Sequence, residues 1–197
     1  MQSSNKINPL SKNDARKTAR SVWKDFLQDT IRGNLLLENM ERFVSTLSRD
    51  SRILAFIPMI DEPDIMSILE KNSFKIYIPF FDRAGNMDFS LYIDAGIQQC
   101  AVHRGPYGIM MPEKEAERLA LPLDESDTVF VPSLASNPNG CRLGRGGGYY
   151  DRWKNRFSNA FIAGMMPSEL TGLNFPEENH DLHFSSVITE KGIVDYK

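Results

Sequence analysis

Cysteine is scarce in this sequence, which has only Cys100 and Cys141 among 197 residues. Two cysteines are too few for a disulfide framework or a cysteine zinc site, and they fit a reducing compartment. No apolar run approaches the length of a membrane span, and the first residues lack the apolar stretch of a signal peptide. We therefore expect a cytoplasmic protein without a membrane partner.

Two familiar nucleotide-binding motifs are also missing. The chain has no Gly-Lys-Ser/Thr tripeptide, which excludes a Walker loop. A dinucleotide fingerprint beginning at Gly144 would require glycine at position 149, where Tyr149 stands. Any nucleotide site in this chain must therefore be built in another way.

The net charge is low and negative, at −3, which argues against nucleic acid as a partner. Basic residues are nevertheless concentrated in two places, and an acidic protein with local basic clusters suits a small polyanion such as ATP better than a polymer. The alternative is a pair of solvated helix faces, which we favour for Arg20, Lys154 and Arg156. The clusters are Lys12, Arg16, Lys17 and Arg20, and then Arg142, Arg145, Arg152, Lys154 and Arg156.

Hydrophobic periodicity predicts a single α/β domain over residues 1–197. An amphipathic helix is predicted over 11–28, with Ser11 as its N-cap. Lys12 and Arg16 then lie one turn apart near the positive end of that helix, which favours phosphate binding. The alternation of apolar runs with helical segments is typical of a three-layer sandwich, in which helices flank a central, mainly parallel sheet. Further helices are predicted over 34–47 and 63–71, and strands over 53–57, 74–78, 87–93, 128–131, 160–164 and 186–189.

Three of the predicted strands run into a proline, at Pro58, Pro79 and Pro132. Because proline cannot continue a central ladder, we expect each one to end its strand. Open parallel sheets bind ligands at the carboxyl ends of their strands. We therefore expect Glu62, which follows Pro58, on the same side as the glycine-rich residues near position 145. The segment 106–127 is rich in Pro, Glu and Asp and is expected to form a mobile flap over the site.

The most informative segment is Arg142-Leu-Gly-Arg-Gly-Gly-Gly-Tyr-Tyr-Asp-Arg152. Glycines let backbone N–H groups approach an anion closely, and arginines add forked donors that match phosphate oxygens. The aspartate is a candidate Mg²⁺ ligand, and the tyrosines can stack on a flat ring. A flexible turn is the alternative, but a plain turn has no use for three arginines and Tyr-Tyr-Asp. The segment therefore predicts a site for a phosphate, a metal ion and an aromatic ligand.

This segment also carries a family resemblance. Val131-Pro-Ser-Leu-Ala135, followed by Asn139-Gly-Cys and the glycine-rich segment, resembles the signature of the 5-formyltetrahydrofolate cyclo-ligases. The resemblance extends to Phe56-Ile-Pro-Met-Ile-Asp-Glu62, to Lys12-x-x-x-Arg16 and to Pro176-x-Glu-x-His-Asp181. It implies a fold of the sugar-phosphate isomerase and CoA-transferase type. It also implies ATP- and Mg²⁺-dependent conversion of 5-formyltetrahydrofolate to 5,10-methenyltetrahydrofolate, with release of ADP and phosphate, by a monomer.

The same resemblance implies roles for individual residues. No side-chain nucleophile is expected, and Arg145 is assigned to charge stabilisation during phosphoryl transfer. His180 and His183 have a spacing that suggests a metal pair, but no third ligand accompanies them, so a surface turn is expected there. ATP is expected at Lys12, Arg16, Arg142, Leu143, Gly144, Arg145, Gly146, Gly147, Gly148, Tyr149 and Tyr150. Folate is expected at Ile57, Met59, Glu62, Tyr107, Arg145, Gly146, Gly147, Gly148 and Tyr149, and Mg²⁺ at Asp151 and Asp181.

Tyr107 departs from the usual pattern of that family, and so do four further positions: Met111, Ser136, Asn137 and Glu169. They favour an alternative in which the chain is a divergent, non-catalytic paralogue that binds folate or nucleotide. A related architecture with another substrate would explain the basic clusters but would leave Tyr149, Tyr150 and Asp151 without a role. Two structural alternatives also stay open, because Asp151 can cap the following helix and the tyrosines can pack against it.

Overall fold

The computed structural model describes residues 9–82, 84, 86–94 and 99–196, and residue 107 by its backbone alone. The α-helices are α1 (Lys12–Phe26), α2 (Thr30–Ser45), α3 (Met66–Leu69) and α4 (Tyr149–Arg152). The first six strands are β1 (Arg52–Leu54), β2 (Lys75–Phe81), β3 (Met87–Asp94), β4 (Val102–Arg104), β5 (Met110–Pro112) and β6 (Thr128–Phe130). The others are β7 (Ala135–Ser136), β8 (Arg142–Leu143), β9 (Phe161–Met165), β10 (Ser186–Thr189) and β11 (Gly192–Asp195). Short 3₁₀ turns occur at Pro106–Gly108, Lys154–Phe157 and Ser168–Leu170.

The predicted architecture is confirmed, because seven strands form one central sheet in the order β11-β10-β9-β6-β1-β2-β3. The four central pairings, β10 with β9, β9 with β6, β6 with β1 and β1 with β2, are all parallel. The two outer pairings, β2 with β3 and β10 with β11, are antiparallel. Parallel strands must be joined by crossovers, which explains why helices and long loops separate them along the chain.

Helix α1 forms where the sequence predicts it. The Ser11 side chain accepts a hydrogen bond from the backbone N–H of Asp14 and so caps the first turn. The apolar stripe of the helix faces the core, and the indole N–H of Trp23 donates to the carbonyl of Leu134 at 3.1 Å. This bond attaches the helix to the segment that follows β6 and keeps its first turn beside the glycine-rich loop.

Helix α2 begins four residues earlier than periodicity predicts. Asp29 acts as its N-cap, because its carboxylate accepts the backbone N–H groups of Ile31 and Arg32. Gly33 weakens the hydrophobic pattern of the first turn and conceals the true start. The helix predicted over 63–71 is reduced to the single turn of α3.

The prediction that Pro79 ends a strand is wrong, because β2 continues to Phe81 and Pro79 pairs with Phe89 in β3. The physical reason is the shortness of β1, whose last residue, Leu54, pairs with Tyr77. Beyond Tyr77, β1 no longer runs beside β2, and a proline is tolerated where a strand edge needs no N–H donor. β1 also ends before Ile57, so the chain leaves the sheet before Pro58, whereas β6 does end shortly before Pro132.

The segment 106–127 is packed against the rest of the molecule. Its strand β5 pairs with β4, and its side chains Leu119 and Leu123 are buried in the main hydrophobic core. Arg52 donates to the carbonyls of Ala120 and Pro122 and forms an ion pair with buried Asp127. These contacts fasten the segment to the start of β1, so it does not lie loose over the sheet edge. Among the described residues, no helix has the length and apolar character needed to cross a bilayer.

An aromatic cluster supports α4 from below. Phe89 in β3 is fully buried and makes edge contacts with the rings of Tyr150, Trp153 and Phe157. The indole N–H of Trp153 also donates to the carbonyl of Met87 at 2.7 Å. The short helix after the glycine-rich loop therefore packs against β3 through these rings.

Replacement of Phe89 by alanine is expected to lower the free energy of unfolding by about 3–5 kcal/mol, because it leaves a cavity under three aromatic rings. Urea denaturation followed by tryptophan fluorescence would measure the loss. Leu121→Ala is the matched control, since this side chain is 45% exposed and its truncation should cost much less. An equal loss in both variants would contradict the role given to the cluster.

Candidate active site

The carboxyl edge of the parallel strands brings the predicted site residues together. Arg145 of the glycine-rich loop donates to both oxygens of Asp61, at 3.0 and 2.8 Å, and to Oε1 of Glu62, at 3.2 and 3.1 Å. The second oxygen of Glu62 accepts the backbone N–H of Met59 at 2.9 Å. Glu62 and the loop therefore lie on the same side of the sheet, as the sequence predicts. Asp61 is a second carboxylate partner of Arg145 that the sequence analysis did not single out.

The conformation of the loop requires glycine. Gly146 has φ +110° and Gly148 has φ +65°, which are values that other L-residues rarely adopt. Gly148 is also the residue from which α4 starts. The loop can therefore turn tightly, and its residues 146–148 add no side chains of their own.

The first two turns of α1 carry Lys12 and Arg16 to the same place. Arg16 Nε donates to the carbonyl of Gly144 at 2.9 Å. Lys12 Nζ contacts both oxygens of Asp181, at 2.8 and 2.7 Å, and lies 3.4 Å from Glu178. Burial acts to lower the pKa of Lys12, but the pairing with Asp181 outweighs it and the pKa is raised. Conversely, burial acts to raise the pKa of Asp181, but the hydrogen bond and charge of Lys12, together with the hydrogen bonds from Glu178 and Cys141, outweigh it, so that pKa is lowered. Both groups are therefore charged at neutral pH.

Arg142 lies beneath the loop rather than in front of it. Its guanidinium is buried and donates to the carbonyl of Pro132 at 2.8 Å and, less closely, to Asp151 at 3.4 Å. A Cβ on Gly144 would come within 2.5 Å of this guanidinium, so the loop rests directly on it. The Nε of Arg142 and the hydroxyl of Tyr150 are buried without a hydrogen-bond partner among the described residues. Such groups cost about 1–3 kcal/mol each when unpaired, which is consistent with a site that a polar ligand or water completes.

The two tyrosines of the loop have different environments. Tyr150 is 7% exposed and packs among Phe89 and Phe157, so its ring has no free face for a ligand. Tyr149 is only partly buried; its ring meets Phe81 edge-on at 4.6 Å, and Arg152 lies 4.7 Å from its centre. Packing, the alternative that the sequence leaves open, therefore describes Tyr150, and Tyr149 is the tyrosine that can contact a ligand.

The carboxylates predicted to bind Mg²⁺ lie beside one another in the fold. Asp151 accepts the backbone N–H of Leu182, the residue that follows Asp181, at 3.3 Å. Its other contacts are the long ones to Arg142, so Asp151 keeps acceptor capacity for a hard cation. Asp181 is engaged by Lys12 and also accepts the backbone N–H of Glu178 at 2.7 Å. The donor set suits Mg²⁺, provided that Lys12 gives up its hold on Asp181.

An apolar depression lies next to Glu62, at the carboxyl ends of β1, β6 and β9. Ile57 and Met59, which the family resemblance assigns to folate, are not among its lining residues; they lie in the turn that leads to Glu62 and are partly buried there. The side chain of Tyr107 falls outside the described part of the chain. The depression is lined by Phe56, Glu62, Pro63, Ile65, Phe130, Val131, Pro132, Ser133, Ala163 and Met165.

Four of the positions that depart from the family pattern have structural partners. Buried Ser136 forms a hydrogen bond with the hydroxyl of Tyr196 at 2.8 Å. Met111 packs against Gly105 and accepts the backbone N–H of Phe81. Glu169 pairs with Arg32 of α2, which also binds Glu190. Asn137 accepts the backbone N–H of Cys141 at 2.9 Å and donates to Glu177 at 3.1 Å. None of these contacts involves the glycine-rich loop.

Cys141 is a neighbour of the site that the sequence analysis did not single out. Its side chain is fully buried, and Sγ lies 3.5 Å from Oδ2 of Asp181. Burial, with the nearby Asp181 charge, raises the pKa of the Cys141 thiol to about 12. The position is set by pairing between residues distant in sequence, and no motif in the sequence indicates it.

Known proteins resemble this chain over most of its length. A family model described as the 5-formyltetrahydrofolate cyclo-ligase family matches residues 28–190. The 5-formyltetrahydrofolate cyclo-ligase of Mus musculus is 25% identical over 193 residues, which are 90% of this chain and 95% of that protein. The protein of the same name from Mycolicibacterium smegmatis is 40% identical over 75 residues, which span only 36% of this chain and 38% of that relative.

Solved structures show the same fold. A 5,10-methenyltetrahydrofolate synthetase from Aquifex aeolicus has a TM-score of 0.74 at 22% identity, covering 94% of this chain and 93% of its own. The synthetase from Mycoplasma pneumoniae has a TM-score of 0.67 at 18% identity, with 92% and 99% covered. The family model begins after α1, so Lys12 and Arg16 lie outside the residues that it matches.

The two thiols should differ in reactivity towards iodoacetamide at pH 8. Cys100 is partly exposed, whereas Cys141 is buried and its pKa is raised, so iodoacetamide has little access to it and little of it is thiolate at pH 8. Peptide mass spectrometry should find the label on Cys100 in the native protein and on both residues in urea. Comparable native labelling of the two would contradict the packing described for Cys141.

Proposed function

The chain belongs to the 5-formyltetrahydrofolate cyclo-ligase family, and we propose that it converts 5-formyltetrahydrofolate into 5,10-methenyltetrahydrofolate, with ATP as co-substrate and ADP and phosphate as products. The observation that carries the proposal is the contact of Arg145 with Glu62. It joins a glycine-rich loop suited to phosphates to a carboxylate suited to the donors of a pterin. A phosphoryl donor and a folate can therefore meet at this point.

The reaction requires ATP because the oxygen of an N-formyl group is a poor leaving group. Transfer of the γ-phosphoryl group to that oxygen gives an N5-iminium phosphate and ADP. N10 then attacks the formyl carbon and loses its proton to solvent, the carbon–oxygen bond breaks, and phosphate departs with the electron pair. Phosphoryl transfer depends mainly on positioning and on neutralising charge, so the protein needs no side-chain nucleophile.

Phosphate binding is assigned to Lys12, Arg16, Arg142 and Arg145, together with the backbone N–H groups of Gly144 and of residues 146–148. Without ligand, two of these cations are neutralised by carboxylates, Lys12 by Asp181 and Arg145 by Asp61 and Glu62. A polyphosphate can replace those carboxylates as the partner of each cation. Arg142 acts from below, where it supports the loop on which the phosphates would rest.

Mg²⁺ binding is assigned to Asp151 and Asp181. When bound, Mg²⁺ would neutralise charge on the ATP phosphates. The backbone N–H of Leu182 orients Asp151. Lys12, which contacts Asp181, would release that carboxylate when it binds a phosphate oxygen. The long contacts of Asp151 support this assignment.

Folate binding is assigned to the turn after β1 and to the loop that faces it. Glu62 would accept hydrogen bonds from the amino and ring N–H groups of the pterin, and its orientation is already set by Met59 and Arg145. Tyr149 would contact the flat ring, since its side chain is only partly buried. The remaining positions assigned to folate are Ile57, Tyr107, Gly146, Gly147 and Gly148. A single domain, a monomeric state and a cytoplasmic location complete the proposal.

The reaction can be tested by absorbance. Purified protein mixed with 5-formyltetrahydrofolate, Mg²⁺ and ATP should give a rise in the long-wavelength absorbance of the methenyl product, and omission of ATP should abolish it. No rise, with ATP or folate still bound in calorimetry, would instead support the non-catalytic paralogue. That alternative lacks structural support at Ser136 and Asn137, whose side chains serve the core and a neighbouring turn.

Arg145→Ala should lower kcat/KM for ATP by about 100-fold or more, because it removes a forked donor from the transferred phosphate. Arg145→Lys should fall between this variant and the wild type, since it keeps the charge and loses the fork. Arg42→Ala, on the exposed face of α2, is the matched control and should keep full activity. Unchanged turnover and ATP affinity in Arg145→Ala would refute the assignment.

A further inference from the structure

Three side chains that could together bind a metal ion lie beside the Lys12–Asp181 ion pair. Among the described residues, Cys141, Glu177 and His183 each present one ligand atom, and the three atoms lie within 4.8 Å of one another. His183 therefore has two candidate co-ligands, and His180, its partner in the sequence spacing, belongs to a different group. Cys141 comes from a distant part of the chain, just before β8, and Glu177 precedes His183 by six residues in the same segment.

The backbone explains why Cys141 and His183 meet. The two residues form an antiparallel bridge. The flanking hydrogen bonds run from the N–H of Arg142 to the carbonyl of Leu182, at 2.8 Å, and from that of Phe184 to the carbonyl of Gly140, at 2.9 Å. This pattern makes Cys141 and His183 a non-hydrogen-bonded pair, the geometry in which opposed side chains stand closest, on one face. The thiol and the imidazole are thus placed together by the fold and not by chance rotamers.

Neighbouring amides hold the third ligand. Asn137 and Asn139 both donate to Oε2 of Glu177, at 3.1 and 3.3 Å, and these bonds lower the pKa of Glu177. Oε2 also lies 3.6 Å from Nε2 of His183. Because Asn137 accepts the backbone N–H of Cys141 as well, one side chain connects two of the three ligands. Amide donors that orient ligands in this way are typical of the outer shell of a metal site.

We propose that Cys141, Glu177 and His183 form a binding site for Zn²⁺, with solvent as the fourth ligand. Thiolate, imidazole and carboxylate are the ligand types that zinc takes, commonly in tetrahedral sites. The thiol supplies a buried, soft ligand, while Glu177 and His183 are exposed enough to close on the ion. On binding, the thiol proton passes to the buffer and the sulfur lone pair bonds to the metal.

A second group of possible metal ligands in the described part of the chain, Glu178, His180 and Asp181, is less suited to Zn²⁺. It offers no sulfur, and Asp181 is already held by Lys12. A soft or borderline cation should therefore prefer the site with Cys141, whereas Mg²⁺ prefers oxygen ligands.

Zinc bound at this site is expected to affect the proposed reaction through Asp181. Sγ of Cys141 lies 3.5 Å from Oδ2 of Asp181, so a cation bound to the sulfur draws on the same carboxylate that Lys12 and Mg²⁺ are proposed to use. Zinc should then inhibit ATP-dependent turnover. This consequence rests on the proposed function, whereas zinc binding does not.

Binding is tested on tag-free, reduced protein without folate or nucleotide. Titration with Zn²⁺ in a calorimeter should give one tight site per chain, and Co²⁺ should give a thiolate-to-metal charge-transfer band with tetrahedral d–d bands. Cys141→Ser and His183→Gln should abolish the charge-transfer band and weaken zinc binding by more than about 100-fold. His183→Gln removes a partly exposed side chain and keeps the test valid if Cys141→Ser fails to fold. Cys100→Ser and His103→Gln are the matched controls and should bind as the wild type does.

Three results would overturn the site: no thiolate band with Co²⁺, loss of binding in Cys100→Ser, or loss of binding in His180→Gln with His183→Gln unaffected. In the activity assay, zinc should inhibit the wild type and inhibit His183→Gln far less. Zinc binding in a protein without turnover would refute the proposed function and leave the zinc site standing. Turnover that is indifferent to zinc, when the Co²⁺ band is present, would refute the coupling through Asp181.

Discussion

The fold of the site depends on the ion pairs that Arg145 makes with Asp61 and Glu62, because they join two loops 84 and 83 residues apart in sequence. Each loop leaves the same edge of the sheet, since the strands before them run parallel. Parallel pairing alone brings the loops to one side, and the ion pairs fix the distance between them. The remaining contacts of the site act on this frame, with α1 on one side and the aromatic cluster beneath.

Charge at the site is balanced before any ligand arrives. Lys12 faces Asp181 and Arg145 faces two carboxylates, so each of these two cations has an anionic partner, whereas Arg16 donates to the carbonyl of Gly144. An unpaired buried charge would cost several kcal/mol. A phosphate ligand then exchanges one anionic partner for another instead of meeting bare cations. In the proposed function, the carboxylates released in this exchange would become available to other partners, Asp181 to a metal ion and Glu62 to the donors of a pterin.

Local rules predicted much of this arrangement, and tertiary context decided the rest. Ser11 caps α1 as predicted. The position of Glu62 beside the glycine-rich loop was also predictable, because the alternation of strands and helices indicates parallel strands whose carboxyl ends share one edge. Pro79 could not be placed, because its tolerance depends on where the neighbouring strand β1 ends. The burial of Tyr150 depends on Phe89, which is remote in sequence. The assignments of Mg²⁺ and folate ligands stay predictions, since they concern groups that the protein itself does not contain.

The pairing of Cys141 with His183 shows the limit of motif reasoning most directly. A spacing such as His180-x-x-His183 describes ligands on one segment, whereas here the partner of His183 is fixed by strand register. The register also places the thiol of Cys141 against Asp181. Asp181 therefore lies between the residues proposed to bind Mg²⁺ and those proposed to bind Zn²⁺. Mg²⁺ favours the oxygens and Zn²⁺ favours the sulfur and imidazole, so the two proposed sites differ in their ligands and meet only at Asp181. Coupling between them requires only that Asp181 cannot serve both sides at once.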